Sequence, residues 1–409
     1  MKNRTRRSVA ALALATGAAL TLAACASGDA GSDTANEGTD AASAQPRVAL
    51  TYDGGLLVLD GTTLELEADI EFPGFNRVNA AGDGRHVMVS TADGFQVLDT
   101  GTWANADGEY VTAEPELTDL VFDAPTPGHV VRHADKTVLY SDGTSDTFIY
   151  ETDALLEDNT ELPEMETISS PDAHHGVSIE LEDGTFLTTI GDADGRTGVR
   201  VLDADRNEIV RNEDCPAVHG EGTTANEIVV FGCNNGVLVY DDGEFTKITA
   251  EDAYGRTGNA YVTETSPIMV GDYNSNPDSE GYELTEVALI DTVAKTQQVI
   301  DLPEGVAYTF RDVARTADDN ALILGTDGAL HVLDVESGEI VESFPVIEAW
   351  EGPAEWQDAH PALVVLGDTA YVTDPASNAV HAVDVATGEI LATGDLPGAP
   401  IEIAIATGD

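Results

Sequence analysis

From Arg47 onward, short runs of β-branched and aromatic residues alternate with clusters of Gly, Asp, Asn, Ser and Pro, and helical periodicity is nearly absent. The pattern is clearest between Trp356 and Glu389. An apolar run, Ala362 to Leu366, precedes a Gly-Asp turn; Tyr371-Val-Thr-Asp-Pro-Ala-Ser-Asn378 and Ala379-Val-His-Ala-Val-Asp384 follow, then Thr387-Gly388-Glu389. These are three strand-like runs split by turn residues. One such unit has no means of burying both its faces, so it should recur. Gly-x-x-Val-x-Asp text stands at Gly55 to Asp60, Gly94 to Asp99, Gly198 to Asp203 and Gly236 to Asp241, with variants ending at Asp291, Asp334 and Asp384. Clear consecutive copies lie roughly 40–50 residues apart, the period of four-stranded propeller blades. The wider interval between Asp99 and Asp203 has room for one degenerate copy, placed at Ser145 to Leu155. The repeated Asp is read as structural, its carboxylate accepting backbone N–H groups in the turn between third and fourth strands.

The Tyr371-Val-Thr-Asp-Pro…Ser-Asn…Val-Asp384…Thr-Gly388 text closely resembles the YVTN-type β-propeller repeat. The predicted fold class is therefore all-β, a β-propeller. Its first blade receives strands at Val48 to Tyr52, Leu56 to Leu59 and Leu64 to Phe72 but lacks a fourth. The C-terminal run Ile401 to Ala406 is an orphan strand suited to that place, and pairing the two ends closes the ring and removes its exposed edges. Innermost strands of the other blades are expected to begin near Asn76, Gly128, His174, Val218, Asn259, Tyr308 and His360, which makes eight four-stranded blades in a single domain of residues 46–409. Asp153 to Glu166 is the likeliest helical turn, and reads more simply as a loop. Asp192-Ala-Asp194-Gly195 lacks the remaining ligands of an EF-hand and reads as a hairpin turn.

The first residues have a different character. Lys2, Arg4, Arg6 and Arg7 precede an Ala-rich apolar stretch from Ala10 to Ala19, and Leu22-Ala23-Ala24-Cys25 looks like a bacterial lipobox. Residues 1–24 are read as a lipoprotein signal peptide, Cys25 as the lipidated first mature residue, and residues 25–45 as a flexible Ala/Gly/Ser/Thr/acid tether. The expected location is the outer face of the bacterial cytoplasmic membrane, held by the lipid alone. Lys and Arg total 18 against 75 Asp and Glu, a formal net charge of −57. Such a surface repels phosphate backbones, so a nucleic-acid partner is not expected. It also attracts cations without selectivity.

Export changes the cysteine reading. With Cys25 modified, Cys215 and Cys233 remain in an oxidising compartment and flank a predicted hairpin, so a disulfide is expected. Cys215-Pro-Ala-Val-His219 also spaces a thiolate and an imidazole for metal ligation, which stands as the alternative. The nine histidines carry the candidate chemistry. His129, the His174/His175 pair, His219 and His360 stand at the starts of predicted innermost strands, which line one mouth of the central channel. Neutral imidazole is a common transition-metal ligand, and Zn²⁺ accepts three or four N or O donors. Glu221, Asp358 or Asp172 is placed to complete the shell or orient a ring, and His133, four residues after His129, to back the site. The bland reading makes each of these a hydrogen-bonding residue of the channel wall. His86, His331 and His381 are assigned to packing.

The segments Pro127-Gly-His129-Val-Val-x-His133…Val138-Leu-Tyr-Ser-Asp-Gly143, Ala173-His-His-Gly176 and Cys215-Pro-Ala-Val-His219-Gly-Glu221 resemble the AztD family of exported zinc metallochaperones, from about Phe75 onward. The resemblance implies a propeller that passes zinc to the solute-binding protein of a zinc ABC importer. It also implies zinc ligation by His129, His174 or His175, and His219. Family members often carry a His-rich N-terminal segment, whereas Ala26 to Gln45 contains no His. The resulting expectation is a lipid-anchored, monomeric zinc chaperone without catalytic activity. Its rivals are a propeller that binds a non-metal ligand or protein and a metal-dependent hydrolase, and Cu²⁺ competes with Zn²⁺ for nitrogen sites of this kind.

Overall fold

The computed structural model describes residues 38–157, 159–279 and 282–409. The signal peptide, Cys25 and the tether up to Glu37 lie outside the described residues. Among the described residues, eight sheets of four or more strands follow one another, antiparallel except for one short parallel pairing at Asn235 in the fifth. The first joins Pro400–Ala406 to Arg47–Tyr52, Gly55–Asp60 and Leu66–Glu71. The second starts at Arg77–Ala80, the third at Pro127–His133, the fourth at Ser178–Glu180 and the fifth at His219–Thr224. Ala260–Tyr261, Val313–Arg315 and Leu363–Leu366 begin the sixth, seventh and eighth. Innermost strands of most neighbouring sheets touch, and Pro400–Ala406 touches both Leu363–Leu366 and Arg77–Ala80, so the ring closes through the terminal strands as expected. The fold is a β-propeller.

The repeat text explains how the ring is held. Alternate residues of a strand point to opposite faces. In Gly55–Asp60, Leu57 and Leu59 pack with Tyr371 and Val380 of the eighth sheet, while Leu56 and Val58 pack with Val87 and Val89 of the second. Both faces of each sheet are thus buried against neighbours, which is why the central strands read as unbroken apolar runs rather than alternating ones. Outermost strands such as Leu66–Glu71 and Glu339–Pro345 are mostly exposed and carry charge. The repeated Asp does what the sequence predicts. Asp60 accepts the N–H groups of Thr62 and Thr63, Asp291 those of Val293 and Ala294, and Asp384 those of Ala386 and Thr387. Asp192 likewise caps its own turn through the N–H groups of Asp194 and Gly195.

Several boundaries differ from the sequence reading, each for a local reason. Asp146–Glu151 supplies the degenerate third strand, and the helical turn that follows is confined to Ala154–Glu157. The fourth sheet begins at Ser178 rather than His174, because residues before it are tied to the preceding sheet: Ser145 Oγ accepts the His174 N–H and Asp142 that of Gly176. The eighth begins at Leu363 rather than His360, since Pro361 has no N–H to give a ladder. Thr39–Ala41, inside the stretch read as tether, pairs with Tyr110–Thr112, which also pairs with Thr102–Ala104. Cys215 and Cys233 are joined by a disulfide, and both are fully buried, which removes the thiolate alternative.

Candidate metal centre

Three consecutive sheets each deliver one imidazole to the same place. His129 lies on the innermost strand of the third sheet, at a register shift between Pro127 and Val130. Gly128 beside it permits a close approach, because a Cβ there would stand 2.4 Å from Asp142 Oδ1. His175 sits in the connection leading into the fourth sheet, and His219 opens the innermost strand of the fifth. Gly220 follows in a left-handed conformation (φ 66°), where any Cβ would collide with the Gly258 carbonyl. Ring centroids of the three histidines lie 5.0–5.2 Å apart, and one ligand nitrogen from each falls within 4.8 Å of the others.

The hydrogen bonds behind the rings fix which nitrogens face inward. His219 Nδ1 is hydrogen-bonded to the carbonyl oxygen of Gly258. A carbonyl only accepts, so Nδ1 carries the proton and, in the neutral ring, Nε2 presents a lone pair. His175 Nδ1 donates to Asp142 Oδ2 at 2.6 Å, leaving its Nε2 likewise directed inward. The two Nε2 atoms are 2.9 Å apart. Facing lone pairs repel unless a proton or a metal cation lies against them. Two imidazole donors on a tetrahedral Zn²⁺ stand about 3.3 Å apart, from Zn–N bonds of about 2.05 Å. A small outward movement therefore converts the pair into ligands. Burial, reinforced by the charges of His219, His175, Arg77 and Arg196, holds the His129 pKa well below the usual imidazole range. Burial pushes His219 down to about 3, the nearby charges of His175, Arg196 and Arg256 acting the same way and the Gly258 hydrogen bond opposing. Both rings are neutral donors at pH 7. His175 is exposed and the other two half-buried, at the edge of a cavity of about 1160 Å³ that Arg77, Arg256 and Trp356 also line.

The remaining sequence candidates lie elsewhere. His174 is buried; its ring nitrogens meet Tyr140 Oη, Ser145 Oγ and Thr189 Oγ1 at 3.1 Å and the Asp172 carbonyl at 2.9 Å. It fastens the third sheet to the fourth. His360 is buried against Phe310, its Nδ1 donating to the Asp358 carbonyl, and burial pushes its pKa down to about 4. The Asp358 carboxylate accepts the Glu355 N–H. Glu221 stands in the field of Arg132, and burial raises its carboxyl to about 8. His133 bridges Glu227 at 2.7 Å and Glu264 at 3.1 Å. Among the described residues none of these joins the group formed by His129, His175 and His219. Sequence reasoning missed Asp142 and Gly258, the groups that orient the rings. Ser141-Asp142-Gly143 reads as an ordinary turn, and a backbone carbonyl leaves no sequence signal.

A carboxylate behind a ligating histidine orients the ring and raises its basicity. Asp142→Ala is expected to weaken metal binding by about 10–100-fold, read by competition with a chromophoric chelator, with the circular dichroism spectrum unchanged.

No protein-family model matches the chain. Zinc chaperone AztD of Citrobacter koseri is 24% identical over 321 residues, 78% of this chain and 73% of that protein. The solved structure of apo AztD from Citrobacter koseri superposes with a TM-score of 0.74 at 19% identity, covering 88% of this chain and 98% of the other. Dihydro-heme d1 dehydrogenase NirN, solved in complex with DHE, gives a TM-score of 0.58 at 12% identity over 88% of this chain and 75% of NirN. The sequence relationship and the ring of sheets agree: the chain is a β-propeller similar to zinc chaperone AztD.

Proposed function

We propose that the protein is an extracytoplasmic metallochaperone that carries one Zn²⁺ ion on His129, His175 and His219 and passes it to the solute-binding protein of a zinc ABC importer. The observation that carries this reading is the convergence of three imidazoles from consecutive sheets, two with their Nδ1 atoms already engaged. Three nitrogen donors would leave a tetrahedral ion one open position, and all three histidines line a cavity. A closed structural site retains metal; an open, partly exposed one permits an incoming donor to attach before the old ones leave. Similarity to a zinc chaperone supports transfer over catalysis, and supports zinc over copper, which such nitrogen donors also accept. The lipobox-like Leu22-Ala-Ala-Cys25 supports a lipid anchor on the outer face of the cytoplasmic membrane, and no helix among the described residues is long and apolar enough to cross a bilayer.

The test is transfer. The mature protein is loaded with one equivalent of ⁶⁵Zn²⁺, mixed with the metal-free solute-binding protein, and the two are separated. Movement of the label within minutes, faster than into a small chelator of equal affinity, is the expected result. Retention by the propeller would overturn transfer and mark a structural site, and weak binding of several ions that salt displaces would show that the acidic surface had merely collected cations.

A further inference from the structure

The cavity beside the three histidines has a property that cation binding alone does not call for. The chain carries 18 Lys and Arg against 75 Asp and Glu, yet Arg77 and Arg256 both line this cavity. Arg196 stands close enough to Arg256 for their charges to repel. Asp142 and Asp272 line it too, but Asp142 is engaged with His175 and Asp272 with the N–H groups of Gly258 and Asn259, and positive charge beside a cation site opposes metal binding unless a further anion lies between. The arginines also have donors to spare. Arg256 gives Nη1 to Asn234 Oδ1 and the Ala217 carbonyl, and no bond from its Nη2 occurs among the described residues. Arg77 lies 5.7 Å over the Trp356 ring with its Nε ion-paired to Glu402 at 3.5 Å, and no bond from its Nη atoms occurs among the described residues.

We propose that this cavity binds a carboxylate, one oxygen of which takes the fourth position on the metal while the other is held by Arg256 and Arg77, with Arg196 adding charge from behind. This rests on the metal site proposed above. A carboxylate oxygen coordinates Zn²⁺ at about 2.0–2.2 Å, and a guanidinium fork matches the second oxygen. The group arrives either as a free small carboxylate or as an Asp or Glu side chain of the acceptor protein. In both cases the arginines make the fourth ligand an exchangeable one brought from outside.

Co²⁺ in place of Zn²⁺ gives the test a visible spectrum sensitive to the fourth ligand. Acetate, succinate and an N-acetyl-Gly-Glu-Gly-amide peptide are titrated separately into the Co²⁺ protein. A saturable spectral change is expected, with half-saturation raised about tenfold or more in Arg256→Gln and in Arg77→Gln, while Co²⁺ affinity without added carboxylate is unchanged or tighter. Tightest binding of the peptide identifies a side chain as the natural source, and tightest binding of succinate a free dicarboxylate. Bound Co²⁺ with no response to any of the three, or the same half-saturation in both variants, would overturn the carboxylate alone. Failure of Co²⁺ to bind the histidines would sink the metal centre and this inference with it.

Discussion

His219→Ala is expected to lower metal affinity by more than about 100-fold while leaving the sheets intact. Loss of an orienting partner costs about 10–100-fold, and loss of a donor should cost more. His219 is only half-buried at the first position of its strand, and its ring contacts His175, His129 and the Gly258 carbonyl rather than the packed core. The informative contrast is His174→Ala, beside a ligand candidate in sequence but apart from it in space. His174 is 7% exposed and engages three hydroxyl groups and a carbonyl. Its removal should cost roughly 1–3 kcal/mol of stability by taking away the hydrogen bonds its ring makes to these buried groups, with metal affinity near wild type. Metal affinity by chelator competition and stability by thermal unfolding separate the two. If His174→Ala lost the metal and His219→Ala kept it, the assignment of the centre would be wrong.

That contrast marks where the sequence stops being informative. Blade text is legible because each copy repeats one physical demand: a strand apolar on both faces, ending in an Asp that caps a turn. The pairing of Ile401 to Ala406 with the first sheet was legible because that run had no other partner. The choice between His174 and His175 was not. Adjacent residues point in opposite directions, and one residue of register decides which ring meets His219. That register is set by Ser145 and Asp142 on the preceding sheet, each more than 28 residues away. His360 failed to join the others for a related reason: its sheet lies across the ring from the third, fourth and fifth. An equivalent position in a blade places a side chain at a mouth, not at a point.

The second large effect concerns the disulfide. Cys215→Ala/Cys233→Ala is expected to lower the free energy of unfolding by about 3 kcal/mol, as loop-closure entropy predicts for a bridge of this span, observed as a lower urea midpoint. The bridged residues are 18 apart in sequence and sit in the cluster that packs the fourth sheet against the fifth, beside Val218 and Phe231. Cys215 precedes His219 by only four residues, and the segment between them crosses from one sheet to the next. Without the bridge this segment is tied by the Cys215 N–H to Thr197 and the Ala217 N–H to Arg196. Metal affinity of the double variant should therefore fall with stability. Unchanged stability would mean that packing alone holds the segment.

The closed ring also bears on the order of events during maturation. Everything that shapes the three-histidine centre, from His129 and Asp142 through His175 and His219 to Gly258, lies in one continuous middle portion of the chain. The closing contacts are of another kind: Glu402 N–H reaches Thr51 Oγ1 across 351 residues. Contacts that must first close so long a loop form late, whereas neighbouring meanders form early. The portion that brings the three histidines together can thus assemble while the ends are still apart, so the candidate centre does not have to wait for the ring to close.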